Sequence, residues 1–239
     1  MTKCEIKYAP QSINDVVFNN AENERRLKMI FQGYKTRHLF FSGTNGVGKT
    51  LITDLVVNHL TSHCPTLLLN DPIEKVMAQD DLYIYFLNAL HLAKLAGAKG
   101  DDRLVIVFNE LDKYTGSLDK LWTVMDRMKD ELLVIITTNY PMKFENAIRS
   151  RCAKFNFTRI TPSDFLARAQ FILKLENVQL PNSHVLHYLT TMSVVTSDVR
   201  DYLDVLDELI FSSQNNLPLP AVPTPQPVKT TQPVLSVVK

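Results

Sequence analysis

The sequence predicts an α/β domain built on a parallel sheet with helices on both faces, followed by a small all-helical domain. Three observations carry this. Between residues 37 and 157, short unbroken apolar runs alternate with segments of helical apolar spacing. The first run ends in a glycine-rich loop that leads into a helix. After Thr161 no strand pattern recurs. Unbroken runs suit strands buried on both faces, and the alternation suits parallel pairing through crossover helices.

The elements follow in order. Residues 1–35 are mixed, with a helix expected from Ala21 to Gln32. Arg37–Ser42 gives the first strand, and Leu51–Leu60 carries helical spacing. Thr66–Asn70 is a second strand and Asp81–Ala96 a helix. Leu104–Phe108 (LVIVF) is a third strand, Leu118–Lys129 a helix, and Leu132–Thr137 (LLVIIT) a fourth strand. Ala153–Phe157 supplies a fifth. Pro162 then opens a helix, with Thr161 or Ser163 as the residue that caps it. Residues 162–176, 182–192 and 197–212 read as three helices. Six of the 12 prolines fall after residue 217, in a stretch with two lysines and no acids. Such a stretch buries too little apolar surface to order itself. The reading divides the chain at 1–160, 161–213 and 214–239.

Bulk properties narrow the function classes. The 239 residues carry a formal net charge of +1, so no global field points to nucleic acid or membrane. No apolar run approaches the ~18 residues a membrane helix needs, and the first ten residues lack a secretory core. The three cysteines are far apart and form no C-x-x-C pair. A reducing, cytoplasmic compartment is expected, without secretion. His59 and His63 share a helix face next to Cys64, yet no acidic partner is in view, so a solvated helix is preferred to a metal site.

The chemistry concentrates in one loop. Gly43, Thr44, Asn45, Gly46, Val47, Gly48, Lys49 and Thr50 match G-x-x-x-x-G-K-[ST]. Three of the chain's seven glycines fall here. Backbone N–H groups turned inward around a phosphate need residues without a Cβ clash, and the following helix adds its N-terminal dipole. Lys49 supplies a charge to the outer phosphates and Thr50 a hydroxyl for magnesium. A second strand must then deliver polar groups to the metal and the attacking water. Leu104–Phe108 is that strand, and Asn109 and Glu110 emerge at its end. Glu110 is the candidate general base. Asn109 stands where an aspartate is expected and can reach magnesium only through a bound water. Asp112 is a weaker candidate to compensate for it.

The order of motifs resembles the AAA+ ATPases, specifically the clamp-loader clade of replication factor C small subunits. Lys7-Tyr8-Ala9-Pro10 with Ile13-Asn14-Asp15-Val16-Val17 is similar to that family's opening and adenine-side segment. The phosphate loop follows. Ile135-Ile136-Thr137-Thr138-Asn139-Tyr140 resembles the strand that ends in the polar sensor, here Asn139. Ile148-Arg149-Ser150-Arg151-Cys152 is similar to the family's S-R-C motif. Ser197-Asp198-Val199-Arg200 resembles the second sensor in the helical lid. The matches run in order from residue 5 to residue 210.

The resemblance implies an ATP- and magnesium-dependent ATPase of DNA replication, with a P-loop AAA+ sheet and a helical lid. It implies Val16 and Val17 on the adenine side, Asn139 as water orienter, Arg200 as a phosphate-facing lid arginine, and Arg151 acting on the ATP of a neighbouring subunit. The implied partners are AAA+ neighbour subunits, a sliding clamp and primed DNA. Lys75, Lys94 and Lys99 lie near the helix that faces DNA in such loaders, although plain solvated lysines are the preferred reading. Residues 232–238 loosely resemble a clamp-docking peptide without its aromatic anchor.

Three departures stand beside these matches. Ala9 replaces an arginine, Asn109 replaces the metal-handling aspartate, and a proline-rich stretch follows the lid where the family carries a collar domain. A chain without a collar is therefore expected. Two rivals stay open: a nucleotide-binding scaffold that hydrolyses little, and a helicase loader or other AAA+ remodeller.

Overall fold

Five parallel strands, in the order β2-β3-β4-β1-β5, form one sheet in this computed structural model, which describes residues 3–195 and 198–219. In chain order the elements are α1 (Cys4–Lys7), α2 (Ala21–Phe31), β1 (His38–Ser42), α3 (Lys49–Thr61), β2 (Leu68–Leu69), α4 (Ile73–Met77), α5 (Leu82–Leu95), β3 (Leu104–Phe108), α6 (Asp119–Arg127), β4 (Leu132–Thr138), α7 (Asn146–Arg151), β5 (Cys152–Asn156), α8 (Pro162–Leu175), α9 (Asn182–Val195) and α10 (Val199–Gln214). The parallel α/β class and the helical C-terminal part agree with the sequence reading.

The apolar runs build two separate cores because side chains alternate across a strand. Phe40, Ile106, Phe108, Val134 and Ile136 face one side, where they meet α5, α6 and α7 residues such as Phe86, Leu121 and Ile148. Leu39, Phe41, Val105, Leu133 and Ile135 face the other, against α2 and α3 residues such as Leu27, Ile52 and Val56. Every residue of β1 and β4 is buried. Burial of each large apolar side chain contributes roughly 1.5–3 kcal/mol. β2, at the edge, shrinks to two residues, shorter than the run Thr66–Asn70 suggests.

The third core belongs to the helical part and holds Phe165, Ile172, Leu173, Leu189, Leu206 and Leu209. Thr161 caps α8: its hydroxyl accepts the Asp164 N–H while Asp164 accepts the Thr161 N–H, with Pro162 in the first turn. Cys4 lies in this core and its N–H donates to Asp207 of α10. Tyr8 donates to Glu176 at 2.6 Å, and Arg168 donates to the Tyr8 carbonyl at 2.8 Å. The chain's first helix therefore packs with the helical part, on the far side of the expected boundary at residue 160. Val16 and Val17 straddle the junction, the first against the sheet core and the second against the helical core.

The histidines near Cys64 do not converge. His59 stacks on Phe31 and His63 bonds Asp102 at 2.7 Å. Among the described residues no group of three or more His, Cys, Asp or Glu could hold a metal, and no helix is long and apolar enough to cross a membrane. Ser197 and the clamp-peptide resemblance at 232–238 lie outside the described residues, as does most of the proline-rich stretch.

Candidate functional site

The loop 43–50 leaves the carboxyl end of β1, where the sheet's polar groups gather. Gly43, Gly46 and Gly48 all have positive φ, at 152°, 74° and 86°. Two of them also answer a close approach. A Cβ on Gly43 would stand 2.3 Å from the Phe157 carbonyl oxygen, because Gly43 is wedged between the ends of β4 and β5. A Cβ on Gly46 would stand 2.1 Å from the Asp198 side chain. The lid thus touches the loop directly, and the Val199 N–H also faces the Gly46 carbonyl at 3.4 Å.

Lys49 opens α3 and is buried, with 8% of its surface exposed. Its ammonium donates to the Gly43 carbonyl at 2.7 Å, the Thr44 carbonyl at 2.7 Å and Asn139 Oδ1 at 2.8 Å. Desolvation holds its pKa below the usual lysine value, and Glu110 and Asp112 act against that shift. All three acceptors lie at the carboxyl end of the sheet, so a cation is fixed where the outer phosphates of a nucleotide would lie. Thr50, the next residue, is exposed.

Neighbouring strands deliver the remaining groups. β3 and β4 pair through Phe108 and Ile136, which brings 109–112 beside 137–139. Thr137 Oγ1 accepts the Glu110 N–H at 2.9 Å and faces Asn109 Oδ1 at 3.3 Å. Asp112 accepts the Thr138 hydroxyl at 2.6 Å and the Asn139 N–H at 3.1 Å. Asp112 thereby holds Asn139, which in turn holds Lys49. Sequence reasoning weighed Asp112 only as a stand-in near the metal. Glu110 adopts the left-handed conformation, with φ 50°, and its carboxylate pairs with Lys113. A non-glycine residue there is uncommon and marks a locally constrained turn.

Carboxylates hold both expected arginines. Arg200 is exposed, and its guanidinium meets Glu5 of α1 at 3.2 Å and Asp198 at 3.6 Å. That differs from the phosphate-facing orientation expected of it. Arg151 ends α7 at the amino end of β5. There Cys152 pairs with His38, whereas Asn156 pairs with Ser42 just before the loop. Arg151 and Gly43 are thus separated by about 20 Å along the strand direction, at ~3.3 Å per residue. An arginine side chain cannot cover that distance. Arg151 instead forms a bidentate pair with Asp126 of α6 and donates to the Ala147 carbonyl at 2.6 Å. Asp126 went unnoticed in the sequence because an exposed acid on a helix carries no motif.

The magnesium donor set is thin. Thr50 offers a hydroxyl and Asn109 an uncharged amide, so the phosphates and bound water would have to supply most of the oxygen ligands. The loop fits an anion better than it fits a bare cation. Its glycines clear the space, the helix start faces it and Lys49 neutralises it. A cleft of about 300 Å³ adjoins the loop, lined by Gly43, Thr44, Asn139, Asn156, Phe157 and Arg159 among others.

Comparison with known proteins fits this geometry. The chain is 29% identical over 74% of its length to replication factor C subunit 4 of Saccharomyces cerevisiae, covering 54% of that protein. It is 26% identical over 87% of its length to the replication factor C small subunit of Methanosarcina barkeri, covering 61% of it. The chain thus spans little more than half the length of these relatives. Among solved structures, its fold resembles domain III of the Thermotoga maritima replication initiation protein DnaA, with a TM-score of 0.55 at 17% identity over 86% of this chain and 90% of that one. It also resembles a Thermotoga maritima RuvB variant, with a TM-score of 0.61 at 12% identity over 87% of this chain and 68% of that one. The model of the "ATPase family associated with various cellular activities (AAA)" matches residues 39–160, which hold the phosphate loop and, but for His38 at the start of β1, the whole sheet, and the chain belongs to that family.

Proposed function

We propose that this chain binds ATP with magnesium at Gly43–Thr50 and hydrolyses it as one subunit of a clamp-loader-like assembly in DNA replication. The observation that carries the reading is Lys49. A buried ammonium held at the loop by two of its carbonyls and by Asn139 would turn to the outer phosphates by exchanging these partners. Val16 and Val17, at the seam between the two cores, would flank the base.

Hydrolysis needs a water in line with the γ-phosphorus and a group to take its proton. Glu110 would take the proton once its carboxylate leaves Lys113. Asn139 would orient that water, with its own backbone fixed by Asp112. Bound magnesium would supply charge neutralisation on the phosphates, with Thr50 as its protein ligand and Asn109 reaching it through water. Arg151 would serve a neighbouring subunit's ATP, since it cannot reach its own. A sliding clamp and primed DNA would be its further partners, as the resemblance of its motifs to the clamp-loader clade implies.

A second reading has specific support. Asn109 brings no charge and Glu110 is paired with Lys113, which is what a nucleotide-binding scaffold with little hydrolysis would show. ATP turnover, with and without primed DNA, separates the two. The first reading expects turnover that falls about 100-fold or more in Glu110→Gln, the loss expected for a general base. No turnover in the wild type, with a gain in Asn109→Asp, would establish the scaffold instead.

A further inference from the structure

The amino end of the sheet holds an arrangement that the motifs do not describe. Asp126 takes hydrogen bonds from two nitrogens of Arg151: Nε donates to Oδ1 at 2.7 Å and Nη2 donates to Oδ2. Nη1 donates to the Ala147 carbonyl at 2.6 Å. A guanidinium has five N–H donors, so one on Nη1 and one on Nη2 remain for an anion. The arginine side chain is 28% exposed and the aspartate 56%, so the pair sits where a second chain can reach it.

The segment carrying Asp126 is itself anchored to the sheet. His38, at the start of β1, is buried. Its Nδ1 accepts the Val134 N–H at 3.1 Å, which leaves the ring proton on Nε2. That nitrogen faces the carbonyl of Met125 at 3.3 Å, the residue next to Asp126. The last turn of α6 is therefore tied to the interior of β1 and β4.

We propose that Asp126 is the positioning residue for Arg151: it holds the guanidinium in one orientation with two N–H groups directed to the nucleotide bound by a neighbouring subunit. The proposal rests on the trans-arginine reading above. A carboxylate on one edge of the fork restricts the side chain's rotamers without consuming all its donors. The arginine then arrives preorganised, and less ordering cost falls on the transition state.

The test is ATP turnover of the full chain, at concentrations where the rate per chain has stopped rising, for wild type, Asp126→Asn, Arg151→Ala and the double variant. Asp126→Asn is expected to lower kcat about tenfold, an effect typical of a misplaced catalytic group, with KM for ATP within about twofold of wild type. The double variant should be no slower than Arg151→Ala alone, because the aspartate acts only through the arginine. Asp126→Glu, which keeps the charge, should recover part of the rate. A rise in turnover in Asp126→Asn would make the carboxylate an inhibitory clamp and overturn the proposal. Additive losses in the double variant would also overturn it, while leaving the trans-arginine reading intact. Wild-type turnover in Arg151→Ala, or none in wild type, would overturn both together.

Discussion

The two ends of the sheet are built differently. At the carboxyl end, Lys49 bonds its own loop and Asn139, Glu110 pairs with Lys113, and Asp198 of the lid lies against Gly46. At the amino end, Arg151 is already fixed by Asp126, Ala147 and the buried anchor of His38. One end carries a receptor whose groups must exchange partners when a ligand arrives. The other carries an arginine held in place with donors to spare. A parallel sheet puts these at opposite ends, so no single copy can bring them together. The difference fits the proposed function, under which the chain would hold two half-sites and activity would be a property of the assembly.

The sharpest way to break that comparison is to remove one half. Arg151→Ala should lower turnover by about 10³, as loss of a trans-acting arginine does, while leaving nucleotide affinity unchanged. Equal losses in affinity and turnover, read by titration with a fluorescent nucleotide, would place Arg151 in its own chain's site instead.

The anchor of the amino end can be probed by acid. Burial lowers the His38 pKa from 6.5 to about 4. The unfolded chain therefore binds a proton that the folded chain refuses between those values. Stability should be fully present above pH 6.5 and fall as the pH drops toward 4, by on the order of 3 kcal/mol from this group. Urea midpoints across that range, beside His38→Gln, measure it. A variant with the same acid sensitivity as wild type would remove His38 from the account.

At the carboxyl end, Lys49→Met should weaken ATP binding by about 10- to 100-fold, from the ~1.5–3 kcal/mol of a hydrogen bond to a charged group. A smaller effect belongs to the lid contact. Asp198 brings a carboxylate against a loop built for phosphate, and it also caps α10 by accepting the Arg200 N–H. Asp198→Asn keeps the cap and removes the charge. It should tighten nucleotide binding about 2- to 5-fold, the scale of a partly exposed charge interaction. Unchanged or weaker binding would mean that the contact bears no electrostatic load.

Much of this was legible in the sequence, for local reasons. Strands buried on both faces are mostly apolar, so β1, β3 and β4 announce themselves, and the glycines at 43, 46 and 48 mark backbone that side chains would block. The lost information is long-range. α1 has four residues and no periodicity, and only its partners in α10 explain it. Gly46 signals a positive φ but not the lid carboxylate resting on it. The motif identifies Arg151, yet its partner lies 25 residues away on a helix where an acid needs no reason. Arg200 bonds to Glu5, 195 residues away, which no local pattern could foretell.

The central claim is that two chains complete one site, and mixing two inactive variants tests it directly. Arg151→Ala keeps an intact phosphate loop, and Glu110→Gln keeps an intact arginine. Each alone should turn over little ATP. Together they should recover a substantial fraction of wild-type turnover, rising faster than linearly with concentration. A mixture as inactive as its components, beside a wild type whose rate is strictly linear in concentration, would contradict it.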